Sequence, residues 1–331
     1  MLLTPKKNRM SGVDHAKFAK KPATRIYLHS INHANCASFA SSQNGFDLTG
    51  SLIDSNLILA GGPTKDGIPA IDNPTFIAPQ QALYLQPEDR ILGIQLNGIS
   101  KAYPIAILNW HEIVNDQIKG SQFSITYCPL CGTGVAFSAK VEGKTLNFGV
   151  SGLLYNSDVL LYDRQTQSLW SQIKAMAISG ELRGQKLSKL PITHTSWLNW
   201  KQIHPDTLVM SDKTGFARDY SSNPYRGYEN SKTIYFKVTN KAPDYFHPKE
   251  RVLGLEVNNQ FKAYPFSEID KAGKTRLIDN FAGNTIYINW DKNNQHASMS
   301  NSAGEPVAAT EGFWFAWFAF HPDTEIFKID E

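Results

Sequence analysis

Short runs in which apolar and polar residues alternate, bounded by Gly, Asn, Asp and Pro, recur along the chain and predict β-strands. Ile91–Leu96 and Lys101–Tyr103 flank Asn97-Gly98, a dipeptide typical of tight hairpin turns. Two short helices are predicted, one from Pro104 to about Val114 and one over Ser196–Ile203. Further strands are predicted at Ser124–Tyr127, Gly134–Val141, Thr145–Val150, Val159–Asp163 and Leu208–Ser211. The chain is therefore expected to fold as a mainly β (α+β) protein.

Two pairs of similar segments occur in the same order along the chain. Residues 89–104 read DRILGIQLNGISKAYP and residues 250–265 read ERVLGLEVNNQFKAYP, with eight of the sixteen positions identical. Residues 197–207 read WLNWKQIHPDT and residues 314–324 read WFAWFAFHPDT. Two colinear matches predict two diverged β-rich repeats, each with two short helices.

The repeat divides the chain into three regions. Residues 1–45 begin with a basic, polar stretch and are expected to be disordered or leader-like. Residues 46–230 make up the first repeat and residues 231–331 the second, diverged repeat, which lacks the cysteines. Ile26–Ala40 ends in the small-x-small pattern of a signal cleavage site but has no apolar core, so no signal peptide is predicted.

Composition narrows the classes of function. Hydrophobic residues make up 41% of the chain and charged residues 19%, which is typical of a globular protein. The net charge is only +3 and the basic residues are scattered, so no nucleic-acid partner is expected. The longest apolar run, Phe313–Phe320, is too short for a transmembrane segment. A small-molecule ligand or a metal ion remains the expected partner.

The strongest chemical signature is Cys128-Pro129-Leu130-Cys131-Gly132, between two predicted strands. Two thiolates at this spacing bind one metal ion when the chain turns tightly, which Pro129 and Gly132 favour. The chain has no second cysteine pair, so a closed four-cysteine site within one chain is excluded. Three interpretations remain open: a metal site completed by other ligands, a redox dithiol of the thioredoxin type, and structural cysteines, either buried or in a disulfide.

The second repeat provides an internal comparison because it lacks the cysteine pair. His111 and Glu112, in the segment NWHEIVND, have no counterpart there, so His111 is predicted to be the third metal ligand. His204 and His321 lie in both repeats, within His-Pro-Asp-Thr, and are predicted to be structural.

A polar stretch, Gly152–Gln172, is predicted to belong to the first repeat alone. Such loops on a β scaffold often form pockets, whereas the alternative is a long hairpin with a structural turn at Asp163-Arg164. The candidate catalytic residues, which would position a ligand or transfer a proton, are Tyr155, Asp158, Asp163, Arg164 and Glu112.

These residues together predict an open mononuclear site with Cys128, Cys131 and His111 as ligands. Copper or zinc is the expected ion, because thiolates select soft metals. A metal-dependent oxidoreductase is one function that such a site supports. The alternatives are a metal-binding or carrier module without turnover and a thiol–disulfide exchange protein.

The chain resembles a bacterial and archaeal family, domain-of-unknown-function family 3179, between about Gly61 and Tyr228. The segments that carry the resemblance are GGPTKDGIPAIDNP, AYP, NWHEIVND, TYCPLCGTGVAF, FGVSGLLYNSDVLLYDRQTQSLWSQ and HPDT. The resemblance implies no settled reaction. It implies an exported, periplasmic or membrane-anchored location, which the lack of a convincing signal peptide does not support.

Overall fold

The computed structural model describes residues 42–329, which form a mainly β structure with short helices, so the predicted fold class is confirmed. The α-helices of this part of the chain are α1 (Ile105–His111), α2 (Trp197–Ile203), α3 (Phe266–Lys271) and α4 (Trp314–Phe320), and Ser55–Leu57 and Pro79–Gln81 form short 3-10 helices. The strands are β1 (Ser42–Gln43), β2 (Phe46–Asp47), β3 (Ile58–Ala60), β4 (Phe76–Ile77), β5 (Arg90–Leu96), β6 (Ile99–Pro104), β7 (Ile113–Ile118), β8 (Ser121–Cys128), β9 (Thr133–Ser138), β10 (Lys140–Val141), β11 (Lys144–Thr145), β12 (Phe148–Tyr155), β13 (Asp158–Asp163), β14 (Leu169–Ser171), β15 (Met176–Ser179), β16 (Lys189–Leu190), β17 (Thr193–Ser196), β18 (Leu208–Met210), β19 (Arg251–Val257), β20 (Gln260–Pro265), β21 (Arg276–Phe281), β22 (Asn284–Asp291), β23 (His296–Ser300), β24 (Thr310–Phe313) and β25 (Glu325–Ile326).

Most of these strands belong to three sheets. One sheet has the order β17-β5-β6-β18-β4, and a second has the order β15-β14-β13-β12-β3. The largest has the order β25-β20-β19-β24-β9-β8-β7, with β16 beside β9. In this largest sheet β24 pairs with both β9 and β19, so strands from both halves of the sequence share one sheet.

The predicted N-terminal features fall mostly outside the described residues. Ile26–Ala40, Cys36 and most of the region 1–45 precede the first described residue, while Ser42–Gln43 pairs with Phe46–Asp47 in a hairpin. None of the helices within residues 42–329 is long and apolar enough to span a membrane.

Helix α1 is shorter than the sequence predicts. The prediction extended it to about Val114, but it ends at His111 because Glu112 adopts a φ of +58°, outside the right-handed helical region. The chain then continues as β7, whose Ile113 and Val114 are both fully buried. His111 contacts Pro69 and Tyr220, whereas the neighbouring Glu112 interacts with Asp158.

The hairpins β5–β6 and β19–β20 are packed by the same kinds of contact. Trp200 Nε1 donates a hydrogen bond to Thr207 Oγ1 at 2.8 Å, and Trp317 Nε1 donates to Thr324 Oγ1 at 2.9 Å. Strand β18 lies parallel to β6, and β25 lies parallel to β20. Each tryptophan also lies against a glycine of the hairpin, Gly93 under Trp200 and Gly254 under Trp317.

Replacing Gly254 with alanine is expected to destabilise the fold by about 3 kcal/mol, because the buried ring has no free space in which to move. A Cβ at this position would lie 2.1 Å from Cε3 of Trp317, which is only 3% exposed. Urea denaturation measures the loss. In a Trp317→Leu background the same methyl group should cost much less, since the clashing ring is gone. An unchanged denaturation midpoint for Gly254→Ala alone would contradict this packing.

Candidate metal centre

A tight turn between β8 and β9 brings the two cysteines together. Cys128 is the last residue of β8, and the Cys131 amide donates a hydrogen bond to the Cys128 carbonyl at 3.2 Å. Gly132 follows with a φ of +62°, and a Cβ there would lie 2.9 Å from the ring of Phe313. Glycine is therefore required both by the backbone conformation and by the space available.

Asp158 completes a buried set of three ligand atoms with the cysteines. The two Sγ atoms and a carboxylate oxygen of Asp158 all lie within 4.8 Å of one another. Asp158 is the first residue of β13 and follows a hairpin turn in which Asn156 and Ser157 both have positive φ. The carbonyl of Ser157 lies 3.2 Å from Cys131 Sγ and 3.7 Å from Cys128 Sγ, so this turn lies against both sulfurs.

The pKa values of the acidic groups of the site are all raised, which favours their protonated forms. Burial raises the pKa of Asp158 to about 7, although the amide of Ile173 donates to its Oδ2 and opposes the rise. Burial and the negative charge of Asp158 raise the pKa of Glu112 to about 8. Burial, with the charges of neighbouring acidic groups, also raises the pKa of both the Cys128 and Cys131 thiols. Within residues 42–329 no salt bridge reaches either carboxylate.

The hydrogen bonds of Asp158 leave one of its oxygens weakly bound. Thr133 Oγ1 lies 2.7 Å from Gln172 Oε1 but 3.5 Å from Asp158 Oδ1. A hydroxyl has one proton to donate, so Thr133 donates it to Gln172, the nearer acceptor. The Thr133 hydroxyl is therefore not a strong donor to Asp158 Oδ1.

Two buried hydroxyl groups beside the cysteines have no hydrogen-bond partner. In the described part of the chain, the buried side-chain atoms without a partner are Ser157 Oγ, Tyr228 OH and Glu311 Oε2. Ser157 belongs to the turn that touches both sulfurs, and the pKa of Tyr228 is raised by burial and by the charges of Cys131 and Cys128. A buried unpaired hydroxyl costs about 1–3 kcal/mol.

The structure gives His111, the predicted third metal ligand, partners other than the cysteines. Its Nδ1 lies 2.7 Å from the Pro69 carbonyl and its Nε2 lies 2.7 Å from the Tyr220 hydroxyl, so both ring nitrogens are in use. Burial lowers the pKa of His111, consistent with a neutral ring that donates from Nδ1 and accepts at Nε2. Among the described residues, the cysteines form a three-ligand set with Asp158 and not with His111.

The other candidate catalytic residues have structural partners. Asp163 accepts from the Thr166 amide at 2.6 Å and from Trp170 Nε1 at 2.9 Å, as a turn carboxylate does. Arg164 forms a salt bridge with Asp72 at the surface. The Tyr155 ring packs edge-on against Phe320, with the ring centroids 5.3 Å apart. The structure therefore brings Asp158 and Glu112 to the cysteines and assigns Tyr155, Asp163 and Arg164 other contacts.

A strap, residues 211–250, packs over the cysteine turn and was not identified from the sequence. This described stretch between β18 and β19 contains no helix or strand. Its residues Tyr225 and Tyr228 lie in the apolar cluster that includes both cysteines. Lys249 fixes the strap, since its Nζ donates to the carbonyls of Tyr228 at 3.0 Å and Thr233 at 2.8 Å and lies 3.8 Å over the Tyr228 ring. The only sequence signal for this role was the tyrosine-rich composition of Thr214–Asn230.

A cleft of about 830 Å³ opens beside the cysteine turn. Tyr127 and Pro129 line it from the turn, and Tyr225 and Tyr228 line it from the strap. Tyr225 also packs against the apolar cluster that contains the cysteines, and its pKa is raised by burial and by the charges of Glu112 and Cys128.

The model of the family described as proteins of unknown function (DUF3179) matches residues 65–305. The match covers more than half of the chain and includes the cysteines, Asp158, Glu112 and the tyrosines of the strap. It also extends well beyond Tyr228, where the sequence resemblance was predicted to end. Comparison with curated proteins and with solved structures gave no match. The chain belongs to the DUF3179 family.

Proposed function

We propose that this member of the DUF3179 family binds one transition-metal ion through Cys128, Cys131 and Asp158. The observation that carries the proposal is the convergence of their three buried ligand atoms within 4.8 Å. Three protein ligands with a fourth position open are typical of catalytic zinc sites, whereas structural zinc sites have four. Glu112, buried close by, is suited to hold a proton beside that open position.

The electrostatics of the site support a cation. Two carboxyl groups and two thiols are buried together, and each would be costly to ionise alone. A divalent cation makes the ionisation of these groups favourable, because it stabilises the thiolate and carboxylate forms and displaces their protons. Of the two expected metals, zinc fits the carboxylate ligand better, since copper(I) prefers sulfur throughout.

The metal site accounts for the cysteines better than thiol–disulfide exchange does. Cys128 is 2% exposed and Cys131 is fully buried. An exchange reaction needs an accessible thiolate, and burial raises the pKa of both thiols. An oxidoreductase role would require a redox-active ion such as iron or copper in the same site, whereas a carrier role requires only reversible binding.

Cobalt(II) and zinc(II) titration of the full chain, purified without oxygen, tests the proposal. We expect one ion per chain and a thiolate-to-cobalt charge-transfer band. Cys128→Ser and Cys131→Ser should each weaken binding by more than about 100-fold, since changes outside the ligand set already cost 10–100-fold. Cys36→Ser, the third cysteine of the chain, is the matched control and should bind like the wild type. Equal, near-zero uptake by the wild type and Cys128→Ser would refute the proposal.

We also infer that the two halves, residues 46–230 and 231–331, are diverged copies of one unit. Support comes from the matching Trp200–Thr207 and Trp317–Thr324 hydrogen bonds and from the parallel closing strands β18 and β25. On this view the metal ligands belong to the first copy, while the second copy contributes the sheet that borders them.

A further inference from the structure

Strand β21 forms one edge of the three-stranded sheet β21-β22-β23 and, among the described residues, pairs with β22 alone. Its two-residue turn, Ala282-Gly283, has positive φ at both positions, so Phe281 before it is hydrogen-bonded to β22. Hydrogen bonding alternates along an antiparallel strand, so the residues one, three and five positions before Phe281 direct their backbone groups away from β22. These outward-facing residues are Asn280, Ile278 and Arg276, and all three are exposed.

This outer edge of β21 lacks the features that usually block strand pairing. Within residues 42–329, the amide and carbonyl groups of the three outward-facing residues have no hydrogen-bond partner. The strand contains no proline, and its register with β22 has no bulge. Its central outward residue, Ile278, is apolar and 63% exposed, while Asp279 forms a salt bridge with Lys262 at 2.7 Å. The edge therefore presents both hydrogen-bonding groups and apolar surface to a further strand.

The corresponding edge in the first half of the chain is covered. Strand β7 follows α1 as β21 follows α3, and its turn, Lys119-Gly120, also has positive φ at both positions. There the Ile71 amide donates to the Ile113 carbonyl at 2.9 Å, and the Asn115 amide donates to the Ile71 carbonyl at 2.8 Å. Asn115 is only 6% exposed, although it precedes the end of its strand by three residues, as Ile278 does. Among the described residues, the first half thus covers with its own chain an edge that the second half leaves open.

We propose that the edge of β21 pairs with the same edge of a second copy of the chain, antiparallel and centred on Ile278. In this register each outward-facing residue meets an outward-facing residue of the other strand, so about six backbone hydrogen bonds form. Ile278 lies opposite the partner's Ile278, and Arg276 lies opposite the partner's Asn280. A register centred on Arg276 would pair fewer residues and would place two guanidinium groups opposite each other, which is unfavourable.

The side chains beside the pairing edge are already ordered. The Arg276 guanidinium lies 4.2 Å from the centre of the Tyr287 ring, and Thr285 donates to Asn280 Oδ1 at 3.0 Å. Less side-chain entropy is therefore lost when the second strand binds. The pairing is two-fold symmetric, so it ends at a dimer. One strand edge buries less than the roughly 1,200 Å² of a stable complex, and we expect a Kd of about 10–100 µM.

Sedimentation velocity of the full chain over a range of concentrations tests the proposal. Ile278→Lys and Ile278→Glu each place like charges opposite each other, so each variant alone should dimerise at least about 10-fold more weakly than the wild type. Ile278 is exposed, so both variants should fold. An equimolar mixture of the two places opposite charges at the centre and should associate about 10-fold more tightly than either variant alone. Leu83→Lys is the matched control, because Leu83 is 86% exposed and lies outside the strands.

The outcomes separate this pairing from other kinds of association. A wild-type chain that stays monomeric up to about 1 mM would overturn the proposal, as would a dimer that Ile278→Lys leaves unchanged. Equal weakening by Leu83→Lys would assign the association to general surface charge and would also overturn it. If the mixture of Ile278→Lys and Ile278→Glu does not recover the dimer, the antiparallel register centred on Ile278 is wrong.

Discussion

Replacing Asp158 with asparagine is expected to stabilise the metal-free protein at pH 8 by about 4 kcal/mol and to abolish the three-ligand metal site. The folded-state pKa of Asp158 is about 7, against 3.8 for an ordinary aspartate. The folded protein therefore binds this proton more tightly than the unfolded chain does. The preference of the folded state for protonated Asp158 therefore costs no stability below about pH 4. As the pH rises from about 4 through 7, the folded protein loses stability relative to the unfolded chain. Each pKa unit corresponds to about 1.4 kcal/mol, which gives the expected gain.

Asparagine can keep the contacts that Asp158 makes with Ile173 and Thr133. Its Oδ1 accepts from the Ile173 amide, and its Nδ2 donates to Thr133 Oγ1, whose proton is directed to Gln172. Urea denaturation at pH 5 and pH 8, with metal removed by a chelator, measures the effect. Saturating zinc should reverse the order, since it stabilises only the protein that binds it.

Asp163→Asn is the matched control, because Asp163 is equally buried but accepts hydrogen bonds from Thr166 and Trp170. That variant should lose stability at both pH values. A metal-free Asp158→Asn protein that is less stable than the wild type at pH 8, or equally stabilised at pH 5 and pH 8, would contradict the raised pKa of Asp158.

Features set by neighbouring residues were predictable from the sequence. The hairpin at Asn97-Gly98 is confirmed, with β5 and β6 paired from Leu96↔Ile99 outwards, because turn type and strand alternation are local properties. The close approach of Cys128 and Cys131 also depends on five consecutive residues. Helix α1 was predicted too long, since nothing in its apolar pattern signals the positive φ of Glu112.

The remainder of the site depends on contacts between distant parts of the chain. Asp158 was identified as a proton-handling residue, but its place beside the cysteines depends on the β12–β13 turn packing against the cysteine turn. His111 was predicted to be a ligand because the predicted second repeat lacks a counterpart, and such an absence does not establish contact with the cysteines. Tyr228 follows the cysteines by about 100 residues in a strap without periodicity, so no pattern in the sequence indicated it.

A buried charge cluster joins the two halves of the protein and was not expected from the sequence. Glu311, on β24, is 4% exposed and forms salt bridges with Arg251 and with Arg90 at 3.1 Å, while His194 Nδ1 lies 3.5 Å away. Burial acts to raise the pKa of Glu311, but the guanidinium charges of Arg251 and Arg90, together with the nearby His194 ring, outweigh it and lower the pKa to about 2. Arg90 belongs to β5 and Arg251 to β19, so one carboxylate binds both hairpins.

Glu311→Gln is expected to destabilise the protein by about 3–5 kcal/mol at pH 7, because it leaves two guanidinium groups facing a neutral amide in a buried place. Glu325→Gln is the matched control. Glu325 is largely exposed and lies 3.9 Å from Lys262, so its loss should cost at most about 1 kcal/mol. Urea denaturation of both variants measures the difference.

Since the folded-state pKa of Glu311 is lowered, the stability that its carboxylate contributes should disappear as the pH falls from about 4.5 to 2. The free energies of unfolding of the wild type and Glu311→Gln should therefore become equal near pH 2. A loss below about 1 kcal/mol at pH 7, or one independent of pH, would show that the cluster does not join the two hairpins energetically.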